Sequence, residues 1–396
     1  MPPLKGLKVL DLGSALAAPY CATLLGELGA DVIKIEKPRR GDLIRFTDTY
    51  VGGQSGYYLG INRQKDGVTV DIRKPEGQAI LRELAAEADV LVENFRSTRM
   101  AEWGLGYEQL KAINPRLIYA SISAFGGAEG FEELGGNDII GQAASGLLDL
   151  TGDADGAPAK AGTPVVDVSG AMLATIGILA AVQKRHVTGV GSHVQISLLE
   201  AAYTLMCNYA TSVLNGEPNF TRQGSGHPQL APYQAFEASD GKYVVVGAFH
   251  RSSWLAFCEA LGRQDLVERP EFKDNWDRVK NRAALVQVLA EEMKKRPSAE
   301  WVRLFRERNV LAAPVLSMRE SLDTFGQAIP GLLVEGSHAQ LGELRMLRTP
   351  ILIDGEVPDD RPLRAGPVLG EATQAQLQAH GFAAEQVAAW AEKGIV

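Results

Sequence analysis

The sequence predicts an α/β fold built on a Rossmann-like parallel sheet. Three observations predict it. Short apolar runs recur at LKVLDL (7–12), DVIKI (31–35), VTVDI (68–72) and VLVEN (90–94). Helical stretches separate them, from Ala18 to Leu28 and from Pro75 to about Ala86, the latter with its proline where a first turn tolerates one. The spacing of strand, helix and strand is that of a right-handed parallel unit. A further apolar run, LIYASISAFG, begins at Leu117. In such a sheet ligands sit beyond the carboxyl ends of the strands. The first strand-to-helix loop, GSALAAPY, lacks the GxGxxG that lets a backbone cradle a dinucleotide, which disfavours an NAD enzyme.

Composition sets the outer bounds. The chain has 396 residues, 45% of them hydrophobic and 22% charged, a balance that fits a globular protein of two or three domains. Its formal charge of −8 argues against nucleic acid as a partner, which needs a basic face to displace counterions. Cys21, Cys207 and Cys258 lie far apart without a CxxC pair, so neither a zinc cage nor a disulfide framework is expected. Asp11 and Gly13 interrupt the N-terminal apolar run, no signal-peptide pattern follows, and no uncharged run is expected to span a bilayer. A cytoplasmic protein with no membrane partner is the expectation.

Three loops at strand ends carry basic residues: Lys37, Arg39, Arg40 and Arg45 after Ile35, Arg73 and Lys74 after Ile72, Arg96 and Arg99 after Asn94. Any one of them reads as a solvated loop of mixed charge. Together, at equivalent strand ends, they form a rim suited to phosphates of a nucleotide-like ligand.

The stretch from Ala161 to Ala202 is the most informative. Asp167 follows the apolar, strand-like pair Val165 and Val166 and precedes a helical run with Ala171, Ala174, Gly177, Ala180 and Ala181 on small-residue spacing. That run ends in Lys184, Arg185 and His186 and a glycine turn. A carboxylate so placed has three possible tasks: capping the helix, general acid or base work, or covalent attack on an acyl carbon.

The order GTPVVDVSGAM, GILAAVQKR and TGVGSHVQISLLEA resembles the central signature of the class III, formyl-CoA transferase-like, CoA-transferases, a family that includes the alpha-methylacyl-CoA racemases. The resemblance covers nearly the whole chain. It implies that Asp167 is the acyl-accepting nucleophile. It also implies that coenzyme A lies across Leu16, Ala17 and Ala18, the basic residues after the KIE segment (Lys37, Arg39, Arg40), Val70 to Arg73 with Asp71 and Ile72, and the ENF segment, with Asn94, Phe95, Arg96 and Arg99. An arginine of the formyl-CoA transferase pattern is replaced here by Glu102, a place for which Arg96 or Arg99 substitutes. In GGND the racemases carry a histidine where this chain has Asn137, and asparagine is no base near neutral pH, so racemisation loses a partner. Asp138 reads as a helix-capping or ligand-orienting carboxylate, and both residues count with the coenzyme A set. No metal or nucleotide redox cofactor is implied.

Beyond an apolar helix from Ser197 to Leu214 the composition turns Gly- and Pro-rich, and GHPQLAPYQAF leads into a second, α+β domain. The expected division is residues 1–200 for the large domain, 225–325 for the small one, and 326–396 returning to the first. His227 reads as a ligand contact or as a loop histidine bonded to nearby backbone. His250 and Arg251 open a helix running to Leu261, and the specific alternative is that Arg251 forks onto the free carboxylate of a dicarboxylic substrate. From the resemblance alone come ring-shaped subunits interlocked in a homodimer, and acyl-CoA and a small carboxylic acid as substrates. The rivals are a racemase of the same fold and a non-catalytic acyl-CoA binding protein.

Overall fold

Six parallel strands organise the larger part of the chain: β1 (Lys8–Asp11), β2 (Asp31–Glu36), β3 (Lys65–Thr69), β4 (Val90–Glu93), β5 (Ile118–Ser123) and β6 (Ser192–Ser197), ordered β3-β2-β1-β4-β5-β6. The computed structural model describes residues 1–131, 134–216 and 220–396. The chain forms two units, one of residues 1–147, 161–214 and 329–396 and the other of residues 148–160 and 215–328. The strand order reverses between β1 and β4, and a crevice opens there at the carboxyl ends.

Strands covered on both faces read as apolar runs, and alternation sorts their side chains. Val9, Val90, Val92, Ile118 and Ala120 enter one core, with helix α1 (Ala17–Glu27). Leu10, Leu91, Leu117 and Tyr119 enter the other, which also holds Ile80, Leu81 and Leu84 of a helix over Pro75–Glu87 and Leu377, Val387 and Ile395 of the returning C-terminal segment. The fold expected from the apolar runs is therefore the fold observed. One strand is shifted: β3 runs over Lys65–Thr69, not 68–72. Its first residue is a buried lysine neutralised by Asp11, a pairing that linear sequence does not display. Val70 to Ile72 instead form the loop beyond the strand, where the Asp71 amide donates to the Ile395 carbonyl at 2.7 Å.

The helix carrying Asp167 spans Val165–Thr188 and ends at Gly189, which takes φ +74°. Val165 and Val166 are helical, not strand-like, because Pro164 at the N-cap starts the helix there. Arg185 near its end is no solvated dipole partner: it is buried, pairs with Asp89 at 3.0 Å and donates to the carbonyls of Asp89 and Arg116. By length and composition this helix is apolar enough to cross a bilayer, although Asp167 and Lys184 bound its uncharged stretch. Its inward face, Val166, Ala171, Ala174, Ile178 and Ala181, belongs to the first core. The apolar stretch after Ser197 is two helices, Leu198–Leu205 and Cys207–Asn215, divided at Met206.

The second unit has an antiparallel sheet of Tyr233–Glu237, Tyr243–Gly247 and Leu311–Pro314, packed by helices over Arg251–Leu261, Arg282–Met293 and Ser298–Glu307. Its own core holds Val244, Val246, Trp254, Phe257, Trp301 and Phe305. The three cysteines are free, Cys21 and Cys258 buried and Cys207 exposed.

Candidate active site

The loop from β1 into α1 has its backbone polar groups assigned to partners one by one. The Gly13 amide donates to Asp11 Oδ1 at 2.8 Å, and the Gly13 carbonyl accepts from Lys34 Nζ. Ser14 is gripped on both sides by the Asn94 amide, at 2.9 Å each. Its hydroxyl donates to Asp42 at 3.0 Å, and the Ala15 amide donates to both Asp42 oxygens at 3.1 Å. A Cβ on Gly13 would lie 2.5 Å from that of Ala18, so only glycine fits. These partners hold Ala15 at φ +63°, a left-handed conformation costly for alanine. Helix α1 then begins with no side-chain cap and no acid in its first turn, so its first N–H groups are left for a ligand.

Under the loop lies a buried charge cluster. Lys34 and Lys65 are both excluded from solvent and converge on Asp11, at 3.5 and 2.8 Å, and Lys34 also lies 3.7 Å from Asp42. Burial disfavours the Lys34 ammonium, but Asp11, Asp42 and Glu36 outweigh it and hold its pKa above the ordinary lysine value. Lys65 goes the other way, to about 8, because burial outweighs the carboxylate it shares with Lys34.

Asp167 stands in the first turn of its helix without capping it. The cap comes from a neighbouring helix over Asp138–Ser145: Asp138 Oδ1 accepts from the amides of Val166, at 2.8 Å, and Asp167, at 3.3 Å. Asp138 is thus a capping carboxylate, as expected, but for a helix other than its own. Among the described residues the Asp167 carboxylate accepts no hydrogen bond. Its pKa rises to about 7, first because it is half-buried and second because Asp138 repels its charge. Tyr57, on the short helix Gly56–Ile61, is pushed up to about 12 by burial and then by Asp167, Asp42, Asp138 and Asp48, which places a phenol in this acidic surround.

Two cavities adjoin at the strand ends. One of about 280 Å³ is lined by Ala15, Leu16, Ala17, Asn94, Phe95, Arg96, Asn137 and Asp167. The other, of about 210 Å³, is lined by Lys37, Val70, Asp71, Ile72, Arg73 and Trp103. Phe95 lines both and packs edge-on against Trp103 at 5.5 Å. So most of the residues singled out by the sequence come together here.

Others do not. Ala18 is fully buried in the first core, and Arg39 lines a separate cavity of about 470 Å³ near the C-terminal segment. Arg40 is exposed and lines neither of the two adjoining cavities. The basic rim is also thinner than its cation count. Arg45 is spent on Glu36 at 2.6 Å, Arg99 on Glu102 at 2.9 Å, and Lys74 on the carbonyls of Lys393 and Gly394. Arg73 shares Asp71 at 2.6 Å. Among the described residues Lys37 and Arg96 line the cavities without an ion-pair partner. His227, His250 and Arg251 belong to the second unit. His227 Nδ1 accepts from the Gln229 amide at 3.1 Å and its ring stacks on Tyr233, the backbone-bonded alternative. His250 and Arg251 are exposed at the start of their helix.

Sequence reasoning missed Asp42, Tyr57 and Gln142. Only long-range packing brings them to the site, and no motif marks them. Among the described residues no group of three His, Cys, Asp or Glu side chains is placed to hold a metal.

A half-buried carboxylate that caps no helix, in a cavity also lined by Ala15, Leu16 and Ala17 and beside a cleft lined by Lys37 and Arg73, has the makings of a site for an acyl group on a large anionic carrier. The relatives are CoA-transferases. The chain is 35% identical to human succinyl-CoA:glutarate CoA-transferase, over 86% of this chain and 78% of that one. It is 39% identical to the succinyl-CoA:mesaconate CoA-transferase of Haloarcula marismortui (81% and 82% covered) and 35% identical to the acetyl-CoA:oxalate CoA-transferase of Acetobacter aceti (91% and 92%). Among solved structures, a CaiB/BaiF family protein from Brucella suis superposes with a TM-score of 0.83 at 33% identity, covering 96% of this chain and 99% of that one. The profile of CoA-transferase family III matches residues 4–373, and the chain belongs to that family of CoA-transferring enzymes.

Proposed function

We propose that this enzyme moves coenzyme A from succinyl-CoA, or a similarly short acyl-CoA, to a small dicarboxylic acid through covalent intermediates on Asp167. The observation that carries the proposal is the Asp167 carboxylate: half-buried, free of any cap and lining a cavity sized for a small acyl group. The printed activities of the relatives supply the substrate class. Asp167 attacks the thioester carbon, forming an acyl-aspartyl anhydride and releasing the CoA thiolate. The thiolate attacks the aspartyl carbonyl, giving an aspartyl-CoA thioester and freeing the donor acid. The acceptor carboxylate then attacks that thioester, and the thiolate released again takes the new acyl group, restoring Asp167.

The N–H groups at the start of α1 face the developing oxyanions, and Lys37, Arg73 and Arg96 meet the anionic groups of the carrier. Exposed apolar side chains, Met172 and Ile176 on the Asp167 helix and Val213 and Leu214 on the Cys207–Asn215 helix, suit contacts with a second copy of the chain in a homodimer. Asn137 in place of a histidine weighs against racemisation.

The test is exchange between succinyl-CoA and a panel of acids, followed by mass spectrometry of the new thioesters. Glutarate, mesaconate or a similar dicarboxylate should be converted. Deuterium wash-in at the alpha carbon of a 2-methylacyl-CoA, with no exchange for any acid, would overturn the proposal.

Asp138→Asn tests the electrostatics. Removing that charge lowers the Asp167 pKa while burial still holds it above 3.8, so an acid limb of kcat/KM set by Asp167, expected near pH 7 in the wild type, should move to lower pH. An unmoved acid limb would refute the assignment of that limb to Asp167.

A further inference from the structure

Gln142 is excluded from solvent yet lines neither of the two adjoining cavities, and both ends of its amide are used. It stands one turn after Asp138 on the same helix. Its Nε2 donates to Asp138 Oδ2, and its Oε1 accepts from the Ala161 amide at 2.9 Å. Asp138 Oδ1 in turn accepts from the amides of Val166 and Asp167. The segment that leads into the Asp167 helix is therefore tied to one neighbouring helix at both ends, Gln142 making the first tie itself and bonding the Asp138 carboxylate that makes the second. The helices meet closely here: a Cβ on Gly141 would lie 2.9 Å from Val166 Cγ1.

We propose that Gln142 is a positioning residue for the nucleophile, holding the Asp138 carboxylate against the first turn of the Asp167 helix and so fixing where Asp167 stands and what charge it faces. The inference rests on the reading of Asp167 as nucleophile. An amide suits the task because it donates to one partner and accepts from the other at every pH, whereas a carboxyl does so only while protonated. The groups that share this surround are few. Asp138 comes from the Gln142 helix, Tyr57 from the Gly56–Ile61 helix with Asp42 and Asp48 facing it, and Arg96 from the loop after β4. Glu200 opens the helix after β6, its carboxylate near Gly126, and α1 brings no acid in its first turn. Of these only Asp138 is bonded to the helix that carries Asp167.

The experiment compares Gln142→Met and Gln142→Glu with the wild-type enzyme, using succinyl-CoA and an acid it converts. Methionine keeps the volume and removes both bonds. Gln142→Met should retain its CoA affinity and lose about 10- to 100-fold in kcat, the scale of a misplaced reacting group. Its acid limb should shift to lower pH as Asp138 swings away from Asp167. Gln142→Glu bridges only when protonated, so its rate should fall on an alkaline limb that the wild type lacks, and this variant decides the matter if Gln142→Met fails to fold. Folded variants whose kcat and pH profile match the wild type overturn the positioning role. An active Asp167→Asn enzyme would instead remove the reading beneath it, which keeps the two failures apart.

Discussion

Asp167→Asn abolishes CoA exchange, by on the order of 10⁴-fold or more, the scale seen when a nucleophile is removed and only binding remains. Binding of CoA itself should be unchanged, because the cavity proposed to receive the carrier, lined by Lys37 and Val70 to Arg73, does not include Asp167. No aspartyl-CoA adduct forms when the variant is mixed with succinyl-CoA, whereas the wild type gains the mass of the thioester. A second effect separates a nucleophile kept at a cost from an ordinary surface acid. The carboxyl ionises near 3.8 in the unfolded chain and near 7 in the folded protein. Between those values the native state binds more protons, so stability falls as pH rises through the window and the full penalty is present above pH 7. Asparagine carries no such penalty. The variant should be more stable than the wild type at pH 8, by about 1–2 kcal/mol once partial solvent access is discounted, with the difference closing towards pH 4. Calorimetry across that range reads it directly. An inactive variant with no stability gain would mean that the carboxylate is not desolvated, and near-normal turnover would remove the nucleophile.

The sheet was legible because strands buried on both faces must be apolar, and the runs at Val9, Val32, Val90 and Ile118 say so in any context. Lys65 hid the start of β3 for the opposite reason: a charge that reads as a loop end is neutralised by Asp11, 54 residues away in sequence. Asp167 was legible as a residue but its freedom from capping was not, since only the structure shows that the cap of its helix is Asp138. The cations were over-read. A count of lysines and arginines cannot say which are already paired, and Arg45 and Arg99 are. Gln142 and Tyr57 left no signal, because their meaning lies in hydrogen-bonding and electrostatic partners from other elements.

Lys34→Met should cost about 3–5 kcal/mol of stability, the usual consequence of deleting one partner of a buried ion network. Lys34 is fully buried, and its ammonium lies between Asp11, Asp42 and the Gly13 carbonyl. Methionine fills the space but leaves Asp42 short of a cation and the Gly13 carbonyl short of a donor, and Asp42 is what holds the Ala15 amide in its left-handed turn. The damage therefore extends beyond stability. The loop lining the cavity with Asp167 loosens, so in the folded fraction at low temperature kcat falls as well. Lys65→Met is the control. Lys65 Nζ donates to Asp11, Asn62 and the Pro19 carbonyl, at 2.8, 2.8 and 2.6 Å, and makes no bond to Gly13, Ser14 or Ala15. Its loss should destabilise the fold with a smaller effect on kcat, since the turn keeps its own partners. Denaturant titration and steady-state rates for the two variants separate the outcomes. If both lower stability alike and neither changes kcat in the folded enzyme, the buried lysines hold the sheet together without shaping the reaction cavity.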